Sequence, residues 1–227
     1  TMRNIIITRS FIFLNRKIKR LLLLLVTIFL CARMMGETII PDSISNPIRT
    51  GFHPDPSICR VGEDYYLVTS SFTWFPGIPV YHSRDLANWS LIGHALTNPK
   101  AIDFNGMTDN DGIWAPTLRY HNGTFYLITT AHSCGGNFYM TAKNPAGPWS
   151  DPVWLKDAPG IDPYLFFDED GRCYYTGNRW DFKSTWPAQC AVWMQELDLQ
   201  KGRLVGERKT LAYGHAANAK YAEGPHL

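Results

Sequence analysis

The stretch "DPSICRVGEDYYLVTS", residues 55–70, joins a proline, a short apolar run, a polar turn with glycine and an aromatic run typical of a β-strand. The same order returns in "APTLRYHNGTFYLITT", residues 115–130, and in "DPYLFFDEDGRCYYTG", residues 162–177. The turns "HNGT" and "EDGR" are strong signals for β-hairpins. A fourth copy begins in "EGPHL", so the four prolines, at positions 56, 116, 163 and 225, lie 60, 47 and 62 residues apart.

A second element with its own likeness follows each of the three hairpins. These elements are "HSRDLANWSLIG", "TAKNPAGPWSDP" and "QELDLQKGRLVG", and each predicts a third strand, a turn and a fourth strand. Four strands per unit, repeated about every 50 residues, indicate an all-β fold of the β-propeller type. A β-sandwich remains as the alternative, because its short strands are also evenly spaced.

The first 36 residues predict a leader for export. "RKIKR", residues 16–20, precedes the twelve uncharged residues "LLLLLVTIFLCA". A membrane-spanning helix needs about 20 apolar residues, so this run fits the core of a signal peptide better than an anchor. We therefore predict a leader at 1–36, a linker at 37–45 and an exported mature protein, whether periplasmic, cell-surface or secreted, with no stable membrane span once the leader is removed.

The charge of the remaining chain argues against a nucleic-acid partner. The chain has 22 basic and 20 acidic residues, but seven of the basic residues and none of the acidic ones lie in residues 1–36. The remainder therefore has 15 basic and 20 acidic residues, a formal charge of −5, whereas nucleic-acid binding needs a basic surface. Outside the leader, Cys59, Cys134, Cys173 and Cys190 are scattered, which predicts buried free thiols, with one or two disulfides as the alternative.

Carboxylates stand at the predicted start of several repeats. In a propeller the first strand of each blade lines the central channel, and a residue before proline is expected to be extended. Asp55 and Asp162 directly precede prolines, whereas Trp114 and Glu223 lie two residues before theirs. We therefore predict that these four side chains meet in one cavity. For each acid taken singly, the alternative is an ordinary turn residue.

Glycoside hydrolysis would use such a set. It needs a carboxylic acid that protonates the leaving oxygen and a carboxylate opposite it. A third carboxylate near the acid would raise its pKa by charge repulsion. Phe72, Trp74 and Trp114 would give a sugar ring flat apolar walls.

The same residues carry a resemblance to glycoside hydrolase family 43, in particular to its β-xylosidases and α-L-arabinofuranosidases. It rests on residues 46–96, on "GIWAPTLRYHNGTFYLITT", on "GIDPYLFFDEDGRCYYTGN" and on "AEGPHL", in that order. The resemblance implies a five-bladed propeller and hydrolysis with inversion. It implies that Asp55 is the general base, Glu223 the general acid and Asp162 the carboxylate that orients the acid and tunes its pKa. Phe72 and Trp114 correspond to aromatic walls of the subsite for the terminal sugar.

The chain departs from the family pattern in two places. His53 stands where relatives usually have asparagine, and we expect it to make a supporting hydrogen bond. The chain ends three residues into the first strand of the fourth repeat, so residues 46–227 are expected to hold about three blades and the start of a fourth. We expect residues 1–227 alone to be poorly stable and inactive, because an open sheet edge remains. In the family, later blades supply an arginine and a histidine to the pocket, and the resemblance assigns neither to a residue of this chain.

The sequence therefore predicts an exo-acting glycosidase that removes terminal β-D-xylosyl or α-L-arabinofuranosyl residues from plant cell-wall polysaccharides, and it does not decide between the two sugars. The resemblance implies no required cofactor and no metal held by the residues named above. It implies a structural calcium only in the complete protein, near the later histidine. A non-catalytic carbohydrate-binding propeller is the alternative function. A protein-interaction propeller of the WD type is disfavoured, because the chain has no "GH…WD" repeat.

Overall fold

The computed structural model describes residues 43–214 and 216–227 and, in the segment before them, Ile18, Arg20 and Leu21. Contacts divide the chain into two units, Thr1–Ile40 and Pro41–Leu227. Apart from those three residues, the predicted leader lies outside the described residues, as does most of the predicted linker. Among the described residues, no helix has the length and apolar character needed to cross a bilayer.

Residues 43–227 form three antiparallel sheets of four strands each, which confirms the predicted all-β fold. The first sheet contains β1 (Ser57–Val61), β2 (Asp64–Val68), β3 (Gly77–Ser83) and β4 (Ser90–Leu96). The second contains β5 (Gly112–His121), β6 (Thr124–His132), β7 (Gly136–Ala142) and β8 (Val153–Trp154). The third contains β9 (Tyr164–Phe167), β10 (Cys173–Arg179), β11 (Ala191–Asp198) and β12 (Arg203–Ala212). Three separate sheets of this kind exclude the two-sheet sandwich for this part of the chain.

Each sheet follows the chain order, with its first two strands joined by a predicted hairpin. In the turn between β5 and β6, Asn122 and Gly123 both have positive φ, 47° and 75°. Two consecutive residues with positive φ are what a tight two-residue hairpin requires, and Asn-Gly adopts this conformation at low cost. The prediction of a hairpin turn at "HNGT" is therefore confirmed.

Two apolar clusters pack the sheets against one another. The cluster between the first and second sheets includes Val68, Leu96 and Leu127, which are almost fully buried. The cluster between the second and third sheets includes Tyr175 and Trp193, whose stacked rings lie 4.7 Å apart between centroids. Burying a large apolar side chain contributes about 1.5–3 kcal/mol, so these clusters hold the sheets in fixed relative positions.

The first strands of the three sheets lie side by side, as predicted for strands that line a common channel. The backbone N–H of Leu118 in β5 donates to Ser57 Oγ in β1 at 3.2 Å. On its other side, Thr117 Oγ1 in β5 donates to the carbonyl oxygen of Pro163, just before β9, at 2.8 Å. The starts of the three strands, with the residues that precede them, are therefore brought to one place.

The prediction of an extended backbone before the prolines is wrong. Asp55, Ala115 and Asp162 have φ of 52°, 39° and 55°, and Gly224, before the fourth proline, has φ of 60°. The intrinsic preference before proline is overridden by tertiary hydrogen bonds at these turns, such as the one from the Ser70 N–H to the Pro54 carbonyl at 3.1 Å. Aspartate tolerates this left-handed region better than most residues, because its short polar side chain bonds locally.

Candidate active site

Asp55 and Asp162 line one cavity of about 210 Å³ at the starts of the first strands. Ala115, at the equivalent place in the second sheet, lines the same cavity, as do Gly224 and His226 from the C-terminal segment. Two of the three predicted carboxylates, and the residue next to the third, are therefore brought together from positions far apart in the sequence.

Asp55 is held by a serine that sequence reasoning missed. Ser70 Oγ, just after β2, donates to Asp55 Oδ2 at 2.5 Å. The same hydroxyl oxygen accepts from the backbone N–H of Ala115 at 2.7 Å. Ser70 is buried, so this bridge fixes Asp55 relative to the second sheet while leaving its carboxylate exposed to the cavity.

Asp162 is the more deeply placed carboxylate. Burial, together with the negative charges of Glu223 and Asp55, raises its pKa to about 6. A hydrogen bond from the Gly224 N–H to Asp162 Oδ2, at 3.2 Å, acts in the opposite direction because it stabilises the ionised form. Because both charges act on Asp162, Glu223 and Asp55 lie within electrostatic reach of it.

The segment that carries Glu223 is supported by the third sheet. Trp186 Nε1 donates to the Ala219 carbonyl at 2.8 Å, and the Tyr221 N–H donates to the Ala188 carbonyl at 3.0 Å. Partial burial raises the pKa of Glu223. Burial, followed by the charges of Glu223 and Asp162, raises the pKa of the Cys190 thiol.

Two of the three predicted aromatic walls lie together beside the cavity. The rings of Phe72 and Trp114 meet edge to face with centroids 6.5 Å apart, and Phe52 packs on the other side of Phe72 at 5.8 Å. Phe72 and Ile113 exchange two backbone hydrogen bonds of 3.0 Å, which join the first and second sheets at this point. Trp114 directly precedes Ala115 of the cavity.

Trp74 does not line the cavity that contains Asp55 and Asp162. It lines a second cleft of about 200 Å³, shared with Phe52, His53 and the Ser70 that bonds to Asp55, and it is 72% exposed. His53 Nε2 donates to the Thr50 carbonyl at 3.2 Å, so the expected hydrogen bond serves the loop before Asp55 and not the carboxylate.

An aspartate and a histidine fix the Trp114 ring. From the sequence, Asp111 just before "GIWAP" is expected in a solvated loop, with the pocket rim as the alternative, and His132 carries no signal. The His132 ring stacks on Trp114 with centroids 3.8 Å apart and planes within 6°. Asp111 Oδ1 lies 3.2 Å from His132 Nδ1. Hydrogen bonds, from Ser133 first and then from Thr108, lower the pKa of Asp111, which keeps it ionised as a partner for His132.

No group of three His, Cys, Asp or Glu side chains within the described residues lies close enough to hold a metal ion. A larger cavity, of about 460 Å³, lies on the third sheet and contains none of the predicted site residues.

Comparison with known proteins decides the family. The sequence profile described as glycosyl hydrolases family 43 matches residues 44–227. The chain belongs to glycoside hydrolase family 43. The resemblance seen in the sequence is therefore confirmed.

Individual family 43 relatives cover most of this chain. A xylosidase/arabinosidase of Butyrivibrio fibrisolvens is 50% identical over 190 residues, which are 81% of this chain and 36% of the relative. A non-reducing end α-L-arabinofuranosidase of Bacteroides ovatus is 44% identical over 212 residues, 92% of this chain and 37% of the relative. The crystal structure of a xylan β-1,4-xylosidase from Bacillus halodurans matches with a TM-score of 0.74 at 43% identity, over 82% of this chain and 36% of that one. This family 43 chain thus spans about a third of the length of these relatives.

Proposed function

We propose that this chain carries the catalytic carboxylates of an exo-acting glycoside hydrolase, which removes terminal β-D-xylosyl or α-L-arabinofuranosyl residues from xylan-type oligosaccharides with inversion. The observation that carries the proposal is the convergence of Asp55, Asp162 and Gly224, the residue next to Glu223, on one cavity. Family membership and the names of the relatives support a glycosidase acting on plant polysaccharide. Because the chain covers about a third of those relatives, the proposal concerns the whole protein.

Glu223 is the proposed general acid. Its raised pKa favours the protonated carboxyl, which donates a proton to the glycosidic oxygen as the bond to the anomeric carbon breaks. The Gly224 N–H bonded to Asp162 favours ionisation of Asp162. Above its pKa of about 6 Asp162 is ionised, and its negative charge is proposed to favour the protonated form of the neighbouring Glu223.

Asp55 is the proposed general base. The Ser70 hydroxyl occupies Oδ2, which leaves Oδ1 to accept a proton from water as that water attacks the anomeric carbon. Attack by water on the face opposite the leaving group inverts the configuration of the sugar. Asp162 orients Glu223 through the Gly224 contact and does not bond to the sugar's anomeric carbon.

The aromatic groups are proposed to select the terminal sugar. Phe72 and Trp114 form one wall of its subsite, and the stack of Trp114 on His132 keeps that wall rigid. Trp74 is proposed to contact a more distant part of the substrate through the second cleft. The relatives include enzymes named for xylose and for arabinofuranose, so the proposal keeps both sugars.

The remaining parts of the proposal concern the complete protein. We propose that the three sheets are blades of a five-bladed propeller and that the protein is exported with a cleaved leader. The hydrolysis as proposed uses only protein carboxyl groups and water, so it requires no cofactor. A calcium ion near later blades is proposed to have a structural role only.

The test uses the full-length product of the gene with 4-nitrophenyl β-D-xyloside and 4-nitrophenyl α-L-arabinofuranoside. Hydrolysis of at least one is expected, and Asp55→Ala and Glu223→Ala are each expected to lower kcat by about 10²–10⁴-fold. Glu169→Ala, an exposed carboxylate in the turn between β9 and β10, is the matched control and should behave as wild type. Binding of xylo-oligosaccharide without turnover would favour the non-catalytic propeller, and wild-type rates in Asp55→Ala would refute the assigned base.

A further inference from the structure

Two buried asparagine side chains hold the turn that leads into Asp162. Asn137 in β7 belongs to the second sheet and Asn178 in β10 to the third, and both are at least 99% buried. Buried amides are uncommon, and they are kept where their hydrogen bonds serve a definite purpose. Each amide bonds to backbone groups of residues 158–161, directly before Asp162.

Asn137 holds the first part of this turn. Its Nδ2 donates to the carbonyl oxygens of Ala158, at 2.9 Å, and Gly160, at 3.0 Å. Thr130 Oγ1 in β6 donates to Asn137 Oδ1 at 2.7 Å, which fixes the orientation of the amide. Both Nδ2 hydrogens of one side chain are therefore used on the turn.

Asn178 holds the residue next to Asp162. Its Oδ1 accepts from the Ile161 N–H at 3.1 Å, and its own backbone N–H donates to the Ile161 carbonyl at 3.1 Å. Both backbone groups of Ile161 are thus bonded to one residue of β10. This double contact fixes the peptide plane from which Asp162 projects.

The turn packs directly against β10, and no space remains for a side chain at Gly160. A Cβ there would lie 1.7 Å from the Asn178 carbonyl oxygen, and Gly160 has φ of +85°. Asn178 Nδ2 is buried and has no hydrogen-bond partner within the described part of the chain. An apolar side chain would avoid that loss, so the Oδ1 contact to Ile161 is the interaction that distinguishes asparagine at this position.

We propose that Asn137 and Asn178 are positioning residues that clamp residues 158–161 and thereby hold Asp162 beside Glu223. The inference rests on the proposed function and adds two residues that touch no reacting atom. The charges of Asp55 and Glu223 act on the pKa of Asp162, and the charge of Asp162 acts on the pKa of Tyr175 and of Cys190. With Asp55 held separately by Ser70, loosening the clamp changes chiefly the spacing of Asp162 and Glu223.

The test compares Asn178→Leu with Thr176→Val in the full-length protein. Leucine has nearly the shape of asparagine and lacks the Oδ1 acceptor. Thr176 lies on the same strand, is fully buried, and has an Oγ1 without a partner among the described residues, so its variant controls for packing in β10. The measurements are kcat over pH, thermal unfolding, and crystal structures of both variants and the wild type.

The clamp predicts that Asn178→Leu unfolds near the wild-type temperature but lowers kcat by about tenfold or more, because misplacement by about 1 Å has such effects. The basic limb of its pH profile should move to lower pH, since Glu223 loses the repulsion of Asp162. The crystal structure should show the Asp162 carboxylate displaced from Glu223. Thr176→Val should match wild type in all three measurements.

A role confined to joining the sheets predicts lower stability with an unchanged pH profile and an unmoved Asp162, and that result overturns the clamp. Should Asn178→Leu not fold, Thr130→Val removes only the hydroxyl that orients Asn137 and should give a smaller effect in the same direction. A wild-type protein without hydrolytic activity would refute the proposed function alone. The position of Asp162 in the crystal structures would then still decide the clamp.

Discussion

Replacing Ser70 by alanine tests how the proposed base is held. In the structure the Ser70 hydroxyl donates to Asp55 Oδ2 at 2.5 Å and accepts from the Ala115 N–H at 2.7 Å. Ser70→Ala removes both contacts without changing any group that is proposed to react. Asp55 then loses a donor that fixes its orientation, and the Ala115 N–H loses its acceptor.

The size of the effect follows from the kind of hydrogen bond that is lost. A hydrogen bond to an ionised carboxylate contributes about 1.5–3 kcal/mol, and each 1.4 kcal/mol of transition-state stabilisation is about tenfold in rate. If the whole free energy of this hydrogen bond is lost from the transition state because Asp55 is misoriented, kcat falls by about 10- to 100-fold. KM should change little, because the hydroxyl faces Asp55 and not the sugar.

The neighbouring serine provides the matched control. Ser71 is also buried, and its Oγ accepts from the Ile78 N–H at 3.0 Å, with no contact to Asp55. Ser71→Ala should therefore lose stability in urea unfolding but keep kcat within about twofold of wild type. The assay is hydrolysis of the two 4-nitrophenyl glycosides by full-length protein. A folded Ser70→Ala with wild-type kcat, or an equal loss of kcat in Ser71→Ala, would refute this account of Asp55.

Further predictions concern stability and thiol chemistry. The pKa of Asp162 is raised from 3.8 to about 6 in the folded state, so its ionisation lowers stability as pH rises from about 4 to 6, by at most about 3 kcal/mol. Asp162→Asn should therefore unfold at a higher temperature than wild type at pH 7 while losing activity. An unchanged melting temperature would contradict this. Gly160→Ala should lower the free energy of unfolding by more than about 3 kcal/mol. Gly171→Ala, at φ of +84° but with open space around it, should lower it only by the left-handed strain of about 1–2 kcal/mol. Equal effects of the two variants in urea unfolding would argue against the close packing at Gly160. All four described cysteines are free thiols, and burial raises the pKa of Cys173 to about 12. A disulfide reagent should therefore modify the half-buried Cys134 first and Cys173 only on unfolding. Rapid labelling of Cys173 in the native protein would contradict its burial.

The sheets could be predicted from the sequence because their signals are local. The Asn122–Gly123 turn and the short apolar run after each proline specify hairpins without reference to the rest of the chain. The repeat then extends the hairpin to a sheet of four strands. Asp55 and Asp162 could be paired because they occupy equivalent places in two repeats.

The backbone at these aspartates could not be predicted in the same way. Local preference before proline favours extended geometry, but hydrogen bonds from residues distant in sequence select the left-handed region instead. The supports of the site were missed for a related reason. Ser70, Asn137 and Asn178 lie inside strand-like runs where nothing marks them as different from other polar residues, and only the packing of the sheets brings them to the site.

The aromatic character of Phe72, Trp74 and Trp114 predicts apolar walls for a sugar ring, but it does not predict which cleft each residue lines. Phe72 turns toward Trp114, with φ of 49°, while Trp74 follows a tight turn closed by its N–H on the Ser71 carbonyl at 2.8 Å. That turn directs Trp74 to the second cleft.

The most direct test of the assigned roles is the dependence of each variant on the leaving group. A general acid is needed when the leaving group is a sugar and much less when it is an acidic phenol, whereas the base that activates water is needed for both. Hydrolysis of a 2,4-dinitrophenyl glycoside and of the corresponding disaccharide should therefore be compared in full-length wild type, Glu223→Ala and Asp55→Ala. We expect Glu223→Ala to lose kcat/KM mainly on the disaccharide and Asp55→Ala to lose it on both substrates. Equal losses on both substrates in Glu223→Ala, or retention of dinitrophenyl glycoside hydrolysis in Asp55→Ala, would contradict the division of labour between the two carboxylates.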